Sequence, residues 1–427
     1  MGSPRPARIV KPASKWEIEL NTWPRKAVAI VVTLSVCGFM FYQTWWLFLA
    51  AWITREGVPD PAIYERAIQY DPENADYRFT LAQIYNYSTA NLDLERAKEQ
   101  YLAAVRLNPY RSSHWLELSK HYEQDGDSDN ARSAMAKALE MDPNYAQMHW
   151  GAANLYIRLG DLTAADFELR RTADLDNSFL TQVLDLVWRF YEDPERIMTT
   201  HVPNTKAANL TALGYFMGQR SELGASLAWN RLQTFETESR ERFGYVNYLV
   251  GLGQPHAAFQ VFEADADRME IYNGDFERSP MNGGFDWRYS SSDHAEARRD
   301  TTQSKDGMAS FLIQFDGEEN VNYSRVWHWL PVDRDESYEL SFWMKTEAIS
   351  TDEGVYLEVE GQVTEAPLGT TYWQEFTIPF TATSDMATVR VRRNPSRKFD
   401  NLLSGKVWLD GFTLTNVTVG AVYDRTP

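Results

Sequence analysis

The sequence predicts a multidomain chain: an N-terminal transmembrane helix, then an all-α solenoid of repeated helix pairs, then a C-terminal all-β sandwich. Three observations predict it. No charged residue occurs from Ala27 to Ile53. A proline-bearing signature then returns at nearly constant spacing. At Ile271 helical text gives way to short alternating strands separated by Gly, Asp, Asn and Pro, the pattern of an all-β sandwich. With 427 residues, the chain is long enough for several cores.

The apolar run 27–53 has spanning length, because a helix rising about 1.5 Å per residue crosses a hydrocarbon core of about 30 Å with roughly 20 residues. Tyr42, Trp45, Trp46 and Trp52 lie in its second half, where an aromatic belt belongs. Residues 1–26 form a basic tail, with Arg5, Arg8, Lys11, Lys15, Arg25 and Lys26 against Glu17 and Glu19, whereas the whole chain carries a net charge of −18. A basic head on an acidic body predicts a cytoplasmic N-terminus and a translocated body. The run is too long and too aromatic for a cleaved signal peptide. Cys37, the single cysteine, follows Leu34-Ser35-Val36, which only superficially matches a lipidation motif; it reads as a small apolar filler. One cysteine allows no intrachain disulfide and no multi-cysteine metal site.

Residues 54–177 carry the repeats. Gln69-Tyr70-Asp71-Pro72, Arg106-Leu107-Asn108-Pro109 and Glu140-Met141-Asp142-Pro143, with the decayed Asp176-Asn177, follow one another at 37, 34 and 34 residues. From Ser112 onward, Trp115, Leu118, Tyr122, Gly126, Ala131, Ala138 and Pro143 stand at the offsets of the tetratricopeptide-repeat family, which this segment resembles. Ser119 and Met135 depart from that pattern. The next repeat keeps Ala153, Tyr156, Gly160 and Ala165; the preceding one keeps Leu81, Ala82, Tyr85, Ala97 and Ala104, with an insertion near Tyr87 to Leu92 that accounts for the longer interval. Small residues let paired helices approach, aromatics plug the next pair, and Pro ends the second helix. Residues 178–266 read as degenerate helical repeats, with helices at Phe179–Tyr191, Ala207–Met217, Ser221–Leu232 and Arg242–Leu252, and an irregular connection at Pro194–Pro203.

Residues 267–427 form the predicted sandwich, with strands at Ser310–Phe315, Tyr323–Leu330, Ser337–Thr346, Gly354–Glu360, Tyr372–Phe380, Met386–Arg393 and Gly405–Thr415. Period-2 alternation leaves Trp343, Tyr356, Glu358, Arg390 and Arg392 pointing away from the core. Three passages, Asn273-Gly274-Asp275-Phe276-Glu277, Tyr338-Glu339-Leu340-Ser341-Phe342-Trp343-Met344-Lys345 and Trp408-Leu409-Asp410-Gly411-Phe412, resemble the jelly-roll carbohydrate-binding modules of the galactose-binding-like superfamily. The resemblance implies sugar binding by rings stacked on pyranose faces, with Trp343, Tyr356, Arg390, Arg392 and Glu358 as candidates and Trp327, Trp329 and Trp373 beyond them. It also implies a structural calcium held through Glu277 and Asp410, the one cofactor expected. Against both stands ordinary structure: cross-strand Arg–Glu pairs, core Trp and turn carboxylates.

The acidic balance argues against nucleic acid as a partner. No phosphate loop, nucleophile elbow or metalloprotease His pair occurs, so no enzyme is expected. The domain combination implies a membrane-anchored periplasmic adaptor at a bacterial inner membrane. It would bind protein partners through the repeat groove and a polysaccharide through the sandwich, in exopolysaccharide or cell-envelope polysaccharide assembly. The alternative is a surface lectin with the repeats as a stalk.

Overall fold

A computed structural model describes residues 22–262 and 271–417. The expected basic residues Arg5, Arg8, Lys11 and Lys15, with Glu17 and Glu19, lie outside the described residues; Arg25 and Lys26 open the first helix. The chain divides into two compact units, residues 1–179 and 180–427.

In the first unit, α1 (Trp23–Thr54) is a single helix, long and apolar enough to cross a membrane. Then come α2 (Pro61–Tyr70), α3 (Ala75–Tyr87), α4 (Leu94–Leu107), α5 (Ser112–Gln124), α6 (Ser128–Met141), α7 (Ala146–Arg158) and α8 (Leu162–Leu175). α3–α4, α5–α6 and α7–α8 are helix pairs of the predicted period. Each second helix starts on an Asp cap: Asp93, Asp127 and Asp161 accept from the backbone N–H three residues on, which satisfies one of the free donors at a helix start. The expected contact residues are fully buried: Ala97 and Ala104, Ala131 and Ala138, with Ser119 and Met135 taking the places of the consensus small residue and aromatic.

A second regularity ties successive turns to the helices that follow. The residue six positions after each repeat proline reaches back to that proline's carbonyl: Arg78 Nη2 to Pro72 O at 3.5 Å, Trp115 Nε1 to Pro109 O at 2.8 Å, and His149 Nε2 against Pro143 O at 3.0 Å. Ion pairs recur likewise, Lys98 to Asp125 at 3.2 Å and Arg132 to Asp161 at 2.6 Å.

The second unit holds α9 (Leu180–Tyr191), α10 (Pro194–Thr200), α11 (Lys206–Gly218), α12 (Glu222–Leu232), α13 (Ser239–Gly251) and α14 (Pro255–Phe262), and then the strands. The expected irregular connection at Pro194–Pro203 is corrected: its first part is α10, capped by Asp193 with Pro194 in its first turn, a pairing that starts helices.

Among the described residues ten strands follow: β1 (Arg288–Tyr289), β2 (Ala295–Asp300), β3 (Ser310–Asp316), β4 (Tyr323–Pro331), β5 (Ser337–Ile349), β6 (Tyr356–Val359), β7 (Gln362–Val363), β8 (Gly369–Thr381), β9 (Met386–Arg393) and β10 (Ser404–Asn416). They form two antiparallel sheets of five, ordered β1-β4-β9-β6-β7 and β2-β3-β10-β5-β8. From β3 to β6 each strand crosses to the other sheet, so sequence neighbours are not sheet neighbours. One apolar core lies between the sheets, including Phe276, Trp287, Phe311, Phe342, Leu357, Val391 and Leu409.

The last helices pack against this sandwich. Phe262 sits edge-on to Tyr272 and Phe285, and Phe259 to Phe285. Gly283 and Gly284 are the seats: a Cβ on Gly283 would stand 2.6 Å from the Phe243 ring, and one on Gly284 2.3 Å from the Phe262 ring. Gly284 also has φ +59°, a backbone region in which side chains are strained.

Candidate functional site

On the outward face of the first sheet, the strand register builds a row of large side chains. Arg288 of β1 stands opposite Trp327 of β4, Trp327 opposite Arg390 of β9, and Arg390 opposite Glu358 of β6. In the adjoining row Arg392 faces Tyr356. Four of the five expected sugar-site residues, Tyr356, Glu358, Arg390 and Arg392, thus share one surface.

The fifth, Trp343, does not, and its expected place beside Tyr356 is corrected. It lies on β5, in the other sheet, opposite Asp410 and Glu375. Both side chains do point outward, but from opposite sheets, so they leave the sandwich on opposite faces. Trp343 is half-buried among its own neighbours: Lys305 Nζ lies 4.4 Å from the ring centre, and Gly411 lets the backbone close on its edge.

The tryptophans on the first face are also engaged. The Arg288 guanidinium lies 3.7 Å from the centre of the Trp329 ring and 4.5 Å from that of Trp327, a cation–π wedge. Its Nη2 donates to Asn247 of α13 at 3.3 Å, while Nη1 is buried without a partner. Burial pushes the Arg288 pKa down to about 10, against the pull of Asp286. Neither Arg288 nor Asn247 was visible in the sequence as a functional residue; β1 is two residues long, and its link to α13 is long-range. On the same face the Arg392 guanidinium donates to the Glu358 carboxylate, which raises the Arg392 pKa. Arg390 is exposed. The face therefore offers an exposed cation and a half-buried Tyr356 ring beside a closed Arg–Glu pair, an arrangement that suits hydroxyl-rich or anionic ligands.

The two expected calcium residues converge on one loop, residues 304–309. Glu277 Oε1 accepts from Met308 N at 2.6 Å and Ala309 N at 3.1 Å. Asp410 accepts from Lys305 N and Gly411 N, both at 2.8 Å. Burial pushes Asp410 up to about 6 in spite of those donors, with Asp306 adding to the rise. Both carboxylates are thus held by backbone N–H groups, whereas the described acidic and histidine side chains whose ligand atoms do come within 4.8 Å of one another are His294, Asp316 and Glu318.

In the repeats, the first helices of successive pairs present a common face. Arg158 of α7 forms a two-pronged bridge to Glu123 of α5, at 2.8 and 2.9 Å. About two turns earlier on the same helices Leu116 and Trp150 stand half-buried, Leu116 against Gly151 and Trp150 against Phe179 at 6.1 Å between ring centres.

The tetratricopeptide-repeat family model matches residues 122–187. Among curated relatives, Tetratricopeptide repeat protein 37 of Xenopus laevis is 31% identical over 102 residues, 23% of this chain and 6% of that protein. Superkiller complex protein 3 of Homo sapiens is 31% identical over 106 residues, 24% of this chain and 7% of that protein. The chain thus spans under a tenth of those relatives' length. Among solved structures, a xylan-binding domain from Paenibacillus barcinonensis is 15% identical, covering 34% of this chain and 92% of that domain at a TM-score of 0.25. The chain therefore carries tetratricopeptide repeats, a type of repeat that serves protein–protein interaction, followed by an antiparallel sheet region.

Proposed function

We propose that this chain is a membrane-anchored adaptor that recruits protein partners through its repeats and is not an enzyme. The observation that carries the reading is the shared face of α5 and α7, where the Glu123–Arg158 bridge joins two consecutive repeats of regular period and Leu116 and Trp150 stand half-buried about two turns earlier on the same helices. Repeat arrays use such faces to hold extended segments of other proteins. In this reading α1 crosses a bacterial inner membrane with Arg25 and Lys26 on the cytoplasmic side and the body in the periplasm. The sandwich, read as a jelly roll, meets an envelope polysaccharide through Tyr356, Arg390 and Arg392, with Glu358 fixing Arg392, in exopolysaccharide or cell-envelope assembly. A structural calcium would be held by Glu277 and Asp410.

Site-specific photocrosslinking in intact membranes tests the central part. A photoreactive residue at Leu116 or Trp150 should give the same discrete adduct, absent when it is placed at Lys137, an exposed position on α6. Equal adducts at all three positions, or none, would remove the adaptor reading. The alternative, a surface lectin with the repeats as a stalk, is favoured by one observation, the outward Tyr356–Arg390–Arg392 face. It would be preferred if the full chain bound soluble polysaccharide, lost that binding on Arg390→Ala, and gave no adduct from the repeats.

A further inference from the structure

The end of the apolar helix is not a free tether. Trp46 packs on Tyr70 at 5.3 Å between ring centres, and Ala50 is wholly buried. Trp46 lies about two turns before the end of α1, and Tyr70 is the last residue of α2. The two helices are thus an antiparallel hairpin. α2 precedes Asp71-Pro72, the signature that ends the second helix of a repeat. It buries Tyr64 and Ala67 at the same distances before the proline as Tyr101 and Ala104 before Pro109, and Met135 and Ala138 before Pro143. The last turns of α1 stand where the first helix of that repeat belongs.

We propose that α1 is at once the membrane anchor and the first helix of the first repeat, and that this seats the array on the bilayer by one defined edge. The inference rests on the membrane reading of α1. α2 exposes Glu65, Arg66 and Gln69 beside residues 46–54 of α1, so hydrocarbon cannot surround that stretch. What remains, Ala27 to Trp46, is about 20 residues or about 30 Å, the thickness of a hydrocarbon core. Tyr42, Trp45 and Trp46 then lie at the interface, and the turn after Tyr70 lies at headgroup level.

The first helices α3, α5 and α7 run in the same direction as α1, because each returns from a second helix. The turns at Asn108–Arg111 and Asp142–Tyr145 therefore occupy the same edge as Asp71–Asn74. That edge exposes Tyr110 by 81%, Tyr145 by 53% and Leu107 by 41%, with Arg106 and Arg111 beside them. Of its aspartates, Asp71 accepts from Asn74 at 3.0 Å and Asp142 from Ser112 at 3.2 Å, while the exposed Asp76 pairs with Arg111 at 3.7 Å and Glu73 is exposed. The opposite edge carries Asp93, Asp125-Gly126-Asp127 and Gly160-Asp161, and its exposed aromatic, Tyr87 at the end of α3, gives its hydroxyl to Glu117. Tyrosine and arginine are what a headgroup layer accepts; clustered aspartate is not.

The test uses the full chain with Cys37→Ser, single cysteines carrying an environment-sensitive fluorophore, and vesicles of zwitterionic and anionic phospholipid. The vesicles contain nitroxide-labelled lipid, with the nitroxide either on the headgroup or on the acyl chain. Labels at Tyr110→Cys and Tyr145→Cys should be quenched by headgroup nitroxide at least twofold more than a label at Asp129→Cys on the far edge, while Phe39→Cys is quenched by acyl-chain nitroxide. Equal quenching at 110, 145 and 129 with quenching retained at 39 would overturn the seating and leave the anchor standing. Absence of acyl-chain quenching at 39 would overturn the anchor, and the seating with it.

Discussion

The helices of residues 75–175 and those of residues 206–262 are built from the same kind of hairpin, yet only the first set follows a consensus. In the first set each pair meets another pair like itself, so the same contacts recur: the proline carbonyl capped from six positions on, and the ion pairs from Lys98 and Arg132. In the second set the final hairpin meets a sheet. Phe243, Phe259 and Phe262 are placed for Gly283, Gly284, Phe285 and Tyr272. Consensus decays where the neighbouring surface changes, because the repeat pattern encodes the neighbour as much as the helix.

The largest effect should come from breaking the helix–sheet contact. Gly284→Val places a branched side chain at φ +59° and into the Phe262 ring. It should cost about 3 kcal/mol or more from strain and overpacking together, lowering the calorimetric transition of residues 180–427 alone. If the transition of the repeats moves equally, the two sets of helices are not energetically distinct. Next is Ala138→Trp in the first set, where full burial among α5, α6 and α7 leaves no room. A loss of about 1 to 3 kcal/mol is expected in the chemical denaturation midpoint of the repeats; an unchanged midpoint would mean that the repeat register is wrong. Trp115→Phe removes the bond to Pro109 while keeping the ring, and should cost about 1 kcal/mol. A smaller change would show that the recurrent carbonyl cap orders the turn without stabilising it.

The smallest effect is one of pH. Burial works against charge on His149, but Glu168 and the Pro143 carbonyl outweigh it and hold its pKa above the ordinary range. The stabilisation is therefore fully present below about pH 6.5 and lost as pH rises through the folded value. His328 in the sandwich goes the other way: burial holds it down to about 4. Its contribution is complete above about pH 6.5 and lost as pH falls through that lower value. Midpoints measured between pH 6 and 9 should decline for the repeats and cease to decline in His149→Gln. A His149→Gln profile parallel to wild type would remove His149 as the cause.

What was legible in the sequence follows the same division. Period 34 and the buried alanines located the repeats, and alternation in Tyr338–Lys345 and Val355–Glu360 assigned inward and outward faces correctly, since both depend on local spacing. Three things were not local. β2 reads Ala-Glu-Ala-Arg-Arg-Asp, too polar to be recognised as a strand without its partner β3. Trp343 and Tyr356 sit on consecutive strands that belong to different sheets, which alternation cannot reveal. The Arg288 wedge depends on register between strands far apart in the chain, and on a helix that lost its consensus. Of the candidate sugar residues, direction was readable for all five, and the sheet to which Trp343 belongs was not.

Hydrogen exchange followed by mass spectrometry on the detergent-solubilised full chain, across a urea series, tests most directly whether the degenerate helices belong with the sheet. Amides of α11 to α14 should lose protection at the same urea concentration as those of β3, β4, β9 and β10, and at a different one from α3 to α8. Loss of α11–α14 together with α3–α8, while the sheets stay protected, would contradict the account.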